Sequence, residues 1–267
     1  MLALPPLALP PRTRDLVAPL GLVFTDGPVG PPILDGLSVR AWPEGREDRT
    51  VAATINGAGV AGFHRLPGLT FNPADPFAGP TRPFIVEVRD ARGRFQTGRV
   101  GAAAPVFGAT KVVMQSAPTR TVGPGRIAFR AELWDVGNAR GAAFALLTVK
   151  LAGNGGKTVA AGLADAAGRV LAVGDWPAPK LAGAADKPPL WDAPRALILE
   201  ILYDPAAPRD VPRLDRVSAV PARAWHRRGP VPDAADEAFV PPDLAAGRPV
   251  VFRSAGDASG RLLVTSP

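Results

Sequence analysis

The chain has no cysteine. That excludes disulfides, thiolate metal sites and a cysteine nucleophile, and it suits a reducing compartment. Histidine is almost as scarce, with His64 and His226 the only two. A metal site with two imidazole ligands would need both, from distant parts of the chain. Lysine stands only at positions 111, 150, 157, 180 and 187, so the formal net charge of +7 is carried mainly by arginine. No apolar run approaches the roughly 18 residues a membrane helix requires. The first eleven residues, Met-Leu-Ala-Leu-Pro-Pro-Leu-Ala-Leu-Pro-Pro, are apolar but have no basic start and are broken at Pro5. No secretory signal peptide is expected from them.

Proline and glycine are abundant, at 32 and 29 residues, which leaves room only for short elements between turns. The 46% of hydrophobic residues is enough to build real cores, and 21% charge is too little for a disordered chain. The expected fold class is all-β: two small β-sandwich-like domains behind a proline-rich arm. The arm spans 1–18, the first sandwich 19–101, and the second sandwich-like domain 110–267, with an irregular loop at 204–245. A small-residue linker is read at 101–109.

Strands are expected at 20–24 and 37–42, and at 51–55 and 60–63 around Asn56-Gly57, a strong hairpin signal. Another is expected at 83–88, with 94–100 pairing back across the turn Asp90-Ala-Arg-Gly93. In the second region, strands are expected at 127–134, 144–151, 158–164 and 169–173, the last two around the turn Asp165-Ala-Ala-Gly168. Residues 197–203 form the most apolar segment; its length and flanking prolines favour strand over helix. Segments 249–254 and 261–265 read as a closing hairpin, and a short helix is possible around 233–239.

Candidate chemistry is thin. Gly57-Ala-Gly59-Val-Ala-Gly62 matches the G-x-G-x-x-G dinucleotide pattern, but Pro67 forbids the helix whose N-terminus would hold the phosphates. Gly153-Asn-Gly-Gly156-Lys157-Thr158 ends like a phosphate-binding loop, yet Leu151 stands where the first glycine is needed. There is no G-x-S-x-G, and Gly256-Asp-Ala-Ser259-Gly reads as a turn. His64, beside Phe63 at a strand end, reads as core-edge packing, and His226 lies in a polar loop. No catalytic, cofactor-binding or metal-binding residues are assigned, and no enzymatic activity is expected. Arg209, Arg213, Arg216, Arg223, Arg227 and Arg228 are diluted by Asp204, Asp210 and Asp215 and carry no recognition motif, which argues against nucleic acid. The contact candidates are the arm leucines Leu2, Leu4, Leu7 and Leu9, whose prolines favour polyproline II geometry, together with Trp176, Trp191 and Trp225. Trp42 and Trp134 end strands and read as core. An exposed tryptophan loop can anchor a protein or stack on a sugar.

Gly59-Val-Ala61-Gly-Phe63-His-Arg-Leu66-Pro67-Gly68, followed by Phe84-Ile-Val-Glu-Val, resembles the G-x-Y-x-F-x-x-L-P-x-G…Y-x-V-x-V signature of carboxypeptidase-regulatory-like or transthyretin-like β-sandwiches. Ala61 stands in place of the usual tyrosine, and Gly68 comes one residue early. The stretch 161–172 repeats a weaker form of the theme. The strand 37–42, the Gly59–Gly68 motif, Ser116-Ala-Pro-Thr, 162–173 and the terminal Gly247-Arg-Pro-Val-Val-Phe-Arg-Ser and Arg261-Leu-Leu-Val-Thr are together similar to proteins encoded among the genes of contractile injection systems, phage-tail-like particles of bacteria. The resemblance implies a structural subunit (baseplate, spike-associated or accessory) acting through protein–protein contacts. It implies sheath, tube, baseplate or spike partners, and assembly in the cytoplasm into a particle that can be released. A glycan-binding or adhesin module using the tryptophan loops is the contrasting expectation.

Overall fold

The structure is a computed structural model that describes residues 18–27, 30–69, 75, 77, 79–151, 158–175, 197–206, 210–214, 250–252 and 259–264. It is all-β. A 3-10 turn stands at Glu47–Arg49.

Eight strands build the first unit: β1 (Leu20–Thr25), β2 (Leu37–Pro43), β3 (Val51–Ala52), β4 (Thr54–Ile55), β5 (Val60–Phe63), β6 (Arg82–Asp90), β7 (Gly98–Ala104) and β8 (Ala109–Val113). They form two four-stranded sheets, ordered β4-β5-β1-β8 and β3-β2-β6-β7. Leu20, Leu22, Phe24 and Phe63 from one sheet meet Val39, Phe84, Val86 and Val88 from the other in one core. This is the inward half of each period-2 alternation, as in any two-layer sandwich.

Three expectations for this unit change. The segment 51–55 is two strands, because the chain leaves β2 after Ala53, whose amide still donates to Val39 O (2.9 Å), and joins β5 at Thr54. The segment read as a linker is mostly strand. β7 runs through Gly101-Ala-Ala-Ala104 in register with β6, and Ala104 is fully buried. Alanine and glycine carry little strand signal, but they fit the close packing against β6. Then β8, expected to open the second domain, pairs in parallel with β1 over five residues, Gly21↔Ala109 to Thr25↔Val113. The first sandwich therefore continues to residue 113.

The second unit contains β9 (Arg126–Asp135), β10 (Arg140–Gly141), β11 (Leu146–Leu151), β12 (Thr158–Leu163), β13 (Arg169–Asp175), β14 (Leu197–Leu202), β15 (Val250–Val251) and β16 (Leu262–Val264). They make one sheet ordered β10-β9-β13-β12-β11-β14, with β15 and β16 added to β9. Its apolar side gathers Phe129, Leu133, Leu147, Val149, Val170, Phe252 and Val264 into one core, and Phe129 and Phe252 stack at 5.2 Å. The 197–203 segment is strand: six residues pair antiparallel with β11. The closing hairpin is corrected. β15 and β16 do not pair with each other; each runs parallel to β9, at Phe129–Arg130 and Leu133–Asp135 respectively. One after the other they give partners to backbone groups along the length of β9, which two strands paired with each other would leave bare.

Candidate functional site at the joint between the two units

Residues 114–125 join β8 to β9, and the first unit binds them by backbone. Met114 N donates to Thr25 O (3.0 Å), Gln96 N to Gln115 O (2.9 Å) and Ala117 N to Arg94 O (2.9 Å). Gln96, itself buried, bridges the units with its side-chain amide, which donates to Ser116 O (3.3 Å) and to Leu163 O of β12 (2.5 Å).

Asp26, just past β1, is the electrostatic centre of the joint. Its carboxylate accepts from both terminal nitrogens of Arg120, at 2.8 and 2.6 Å, and from Nη1 of Arg126 at 2.7 Å. Arg126 is the first residue of β9, so one carboxylate ties the first unit, the connector and the second unit together. Arg120 also lies over the Phe95 ring, 4.6 Å from its centroid, a cation–π contact from a side chain only 13% exposed. Arg130 of β9 donates to the carbonyls of Pro118 and Arg120, holding the connector against the second sheet. Burial pushes the Asp26 carboxyl up, but the hydrogen bonds and charge of Arg120, then those of Arg126, outweigh it and hold the group below its ordinary value.

A second carboxylate cluster lies on the outer face of the β3-β2-β6-β7 sheet. Glu87, 2% exposed, accepts from Arg40 (2.6 Å), Arg89 (2.8 Å) and Arg99 (3.3 Å). Burial raises its pKa and these arginines pull it below the ordinary value. Arg99 also covers the buried Trp42 ring at 5.4 Å. The backbone amide of Arg99 donates to Pro212 O (2.8 Å), so the segment 210–214 docks on β7. That segment falls in the irregular loop assigned to the second domain, yet it returns to the first.

In the second unit, Asp135 is fully buried and accepts from Tyr203 OH (3.1 Å) and from Asn138 Nδ2 (2.7 Å). Burial first, then the charge of Asp135, pushes the Tyr203 phenol above its ordinary value.

Chemically these groups are latches. Carboxylates held ionised between guanidiniums carry no proton near neutrality, and a phenol held protonated is no base. Among the described residues no group of three or more His, Asp and Glu is placed to hold a metal.

In the glycine-rich stretch 57–62, residues 57–59 form the hairpin loop and 60–62 already belong to strand β5, with no helix behind them. His64 is half-buried next to Phe63, as packing at a core edge requires, and its Nδ1 is buried without a hydrogen-bond partner. Trp42 is buried, as expected, and Trp134 lies half-buried under Arg261 (3.9 Å) instead of in the core. Leu2, Leu4, Leu7, Leu9, Trp176, Trp191, Trp225, His226, the loop 153–157 and the possible helix at 233–239 lie outside the described residues. Sequence reasoning missed the Asp26, Glu87 and Asp135 clusters. Asp26 lies just past the expected strand 20–24, Glu87 inside the expected strand 83–88 and Asp135 just past the expected strand 127–134, and nothing local marks any of them.

Fold and site together define an all-β protein of two sheet-built units fastened by an ion-paired joint. No protein-family model and no curated protein matches the sequence. Among solved structures, the chain is similar to the Bacillus anthracis TIE protein at 15% identity and a TM-score of 0.26, covering 59% of this chain and 26% of that one. It is similar to a streptococcal ancillary pilin at 11% identity and a TM-score of 0.24, covering 61% of this chain and 52% of that one. The chain thus spans about a quarter and about half of those two proteins, and likenesses this slight carry no functional argument.

Proposed function

We propose that this chain is a non-enzymatic structural subunit of a contractile phage-tail-like injection particle, a baseplate, spike-associated or accessory component acting through protein–protein contacts. The observation that carries the structural part of the reading is the joint. Asp26, Arg120, Arg126 and Gln96 hold two sheet-built units in one arrangement, the kind of rigidity a load-bearing spacer needs. The particle assignment rests on the sequence resemblance. β8 and β14 end their sheets, and such edges are where a neighbouring subunit can add a strand.

The test is affinity purification of the tagged protein from its native host under gentle low-salt lysis, followed by mass spectrometry and negative-stain imaging. Sheath, tube or baseplate proteins, with tail-like particles in the eluate, are the expected result. A lone monomer would sink the particle reading. Glycan binding by that monomer, lost on Trp176→Ala, Trp191→Ala or Trp225→Ala, would replace it with an adhesin.

A further inference from the structure

Asn56 and Gly57 stand exposed at the tip of the β4–β5 hairpin. Asn56 Oδ1 accepts from the amides of Ala58 and Val60, each at 3.0 Å. Backbone bonds fix the rest of the turn: Asn56 N donates to Val60 O (3.0 Å) and Gly59 N to Asn56 O (2.9 Å). The Gly57 amide stays outside this pattern and makes no hydrogen bond among the described residues. A Cβ at Gly57 would meet nothing within 4 Å, so open space surrounds that nitrogen. Two donors therefore polarise the Asn56 side-chain carbonyl, and the next nitrogen along the chain is free and unshielded. The chain's other asparagines differ. Asn138 precedes Ala139, and its Nδ2 is engaged by Asp135 at 2.7 Å. Asn72 precedes Pro73, which has no N–H. Asn154-Gly155 repeats the dipeptide outside the described residues.

We propose that Asn56 is a site of spontaneous self-modification in the folded protein, closing with Gly57 into a succinimide ring that water reopens to an acid. Solvent base takes the Gly57 N–H proton, and the nitrogen bonds to Asn56 Cγ. The electron pair of the Cγ–Oδ1 double bond moves onto Oδ1. There the Ala58 and Val60 amides already point, placed as the donors of an oxyanion hole are. The Cγ–Nδ2 bond then breaks, and Nδ2 takes up a proton and leaves as ammonia. Water opens the ring at either carbonyl. Opening at Cγ gives aspartate, whose carboxylate can accept the same two amides, as Asp90 and Asp165 do in their turns. Opening at the backbone carbonyl gives isoaspartate, which lengthens the main chain by one carbon and moves the acceptor out of the turn. Either product adds a negative charge to the hairpin tip, and the second loosens β4 at the end of its sheet. This inference stands apart from the particle reading and fails or survives independently of it.

The test compares the folded protein with a free peptide of residues 50–65, both held at mildly alkaline pH and body temperature. Arg49 and Arg65 bound this stretch, so trypsin releases it from the protein whole and apart from Asn154. Mass spectrometry follows the change from amide to acid, and enzymatic methylation detects isoaspartate. Conversion at Asn56 is expected to be at least as fast in the folded chain as in the peptide, with isoaspartate among the products. It is expected to be lost in Gly57→Ala, whose methyl group crowds the attacking nitrogen. Gly57 lies outside the left-handed region and faces open space, so that variant keeps the turn. Slower conversion in the folded chain than in the peptide would overturn the proposal, because the turn would then shield Asn56. Aspartate without isoaspartate would overturn it too, since that marks direct hydrolysis of the side chain. So would undiminished conversion in Gly57→Ala.

Discussion

Asp26 concentrates three roles in one side chain, and its replacement tests them together. Asp26→Asn keeps the shape but removes the charge facing Arg120 and Arg126, leaving a mostly buried guanidinium without its counter-charge. A loss of about 2 kcal/mol in denaturant unfolding is expected. Arg46→Ala, which breaks the fully exposed pair with Asp48, should change nothing measurable. The pH dependence has a definite sign. The folded-state pKa of Asp26 is depressed, so the stability it contributes is complete above the ordinary value of 3.8 and is lost as pH falls below that toward the folded value. Asp26→Asn should flatten the stability profile over that acidic window. Tyr203 provides the opposite case. It is the only tyrosine in the chain, so ultraviolet absorbance reports its ionisation alone. The raised pKa predicts a titration above the ordinary 10.0, moving down with Asp135→Asn. The stability this phenol contributes is complete below 10.0 and disappears as pH climbs through the folded value.

At the level of elements, three hairpins are one device used three times. Asn56, Asp90 and Asp165 each accept side-chain hydrogen bonds from the amides two and four residues on, at distances between 2.7 and 3.3 Å. A glycine at positive φ follows three residues later in each: Gly59 at +78°, Gly93 at +66° and Gly168 at +86°. Asp165→Ala should cost about 1 kcal/mol in unfolding free energy. Gly93→Ala should cost about 1–2 kcal/mol from backbone strain alone, since a Cβ there meets nothing within 4 Å. Gly168→Ala should cost more, because its Cβ would come within 2.4 Å of Leu133 O. These turns were legible in the sequence because one polar residue and one glycine at fixed spacing determine them locally, although the Asn56-Gly57 pair proved to begin a longer loop. The strands around Val39, Val86 and Phe129 were legible from their alternation. β7 was not, because Gly101-Ala-Ala-Ala104 gains its strand from β6. Nor was the parallel docking of β8, β15 and β16, which depends on partners far away in the chain. The Asp26 site was the least readable: its arginines lie 94 and 100 residues away, and nothing local announces them.

For the whole molecule, the joint decides whether two cores behave as one. Each unit has its own buried cluster, so each can melt by itself once uncoupled. With Asp26, Arg120 and Gln96 in place, calorimetry should show a single cooperative transition. The combination of Asp26→Asn with Gln96→Ala should resolve two, and small-angle scattering should show a broader spread of distances between the units. The return of 210–214 to β7 gives the coupling a second strut. The parallel pairing of β1 with β8 has a mechanical consequence. A pull on the two ends of the first unit drags β1 backward from Leu20 and β8 forward from Val113. Because the strands run side by side in the same direction, their ladder is loaded in shear, and all five registered pairs from Gly21↔Ala109 to Thr25↔Val113 resist at once instead of unzipping in turn.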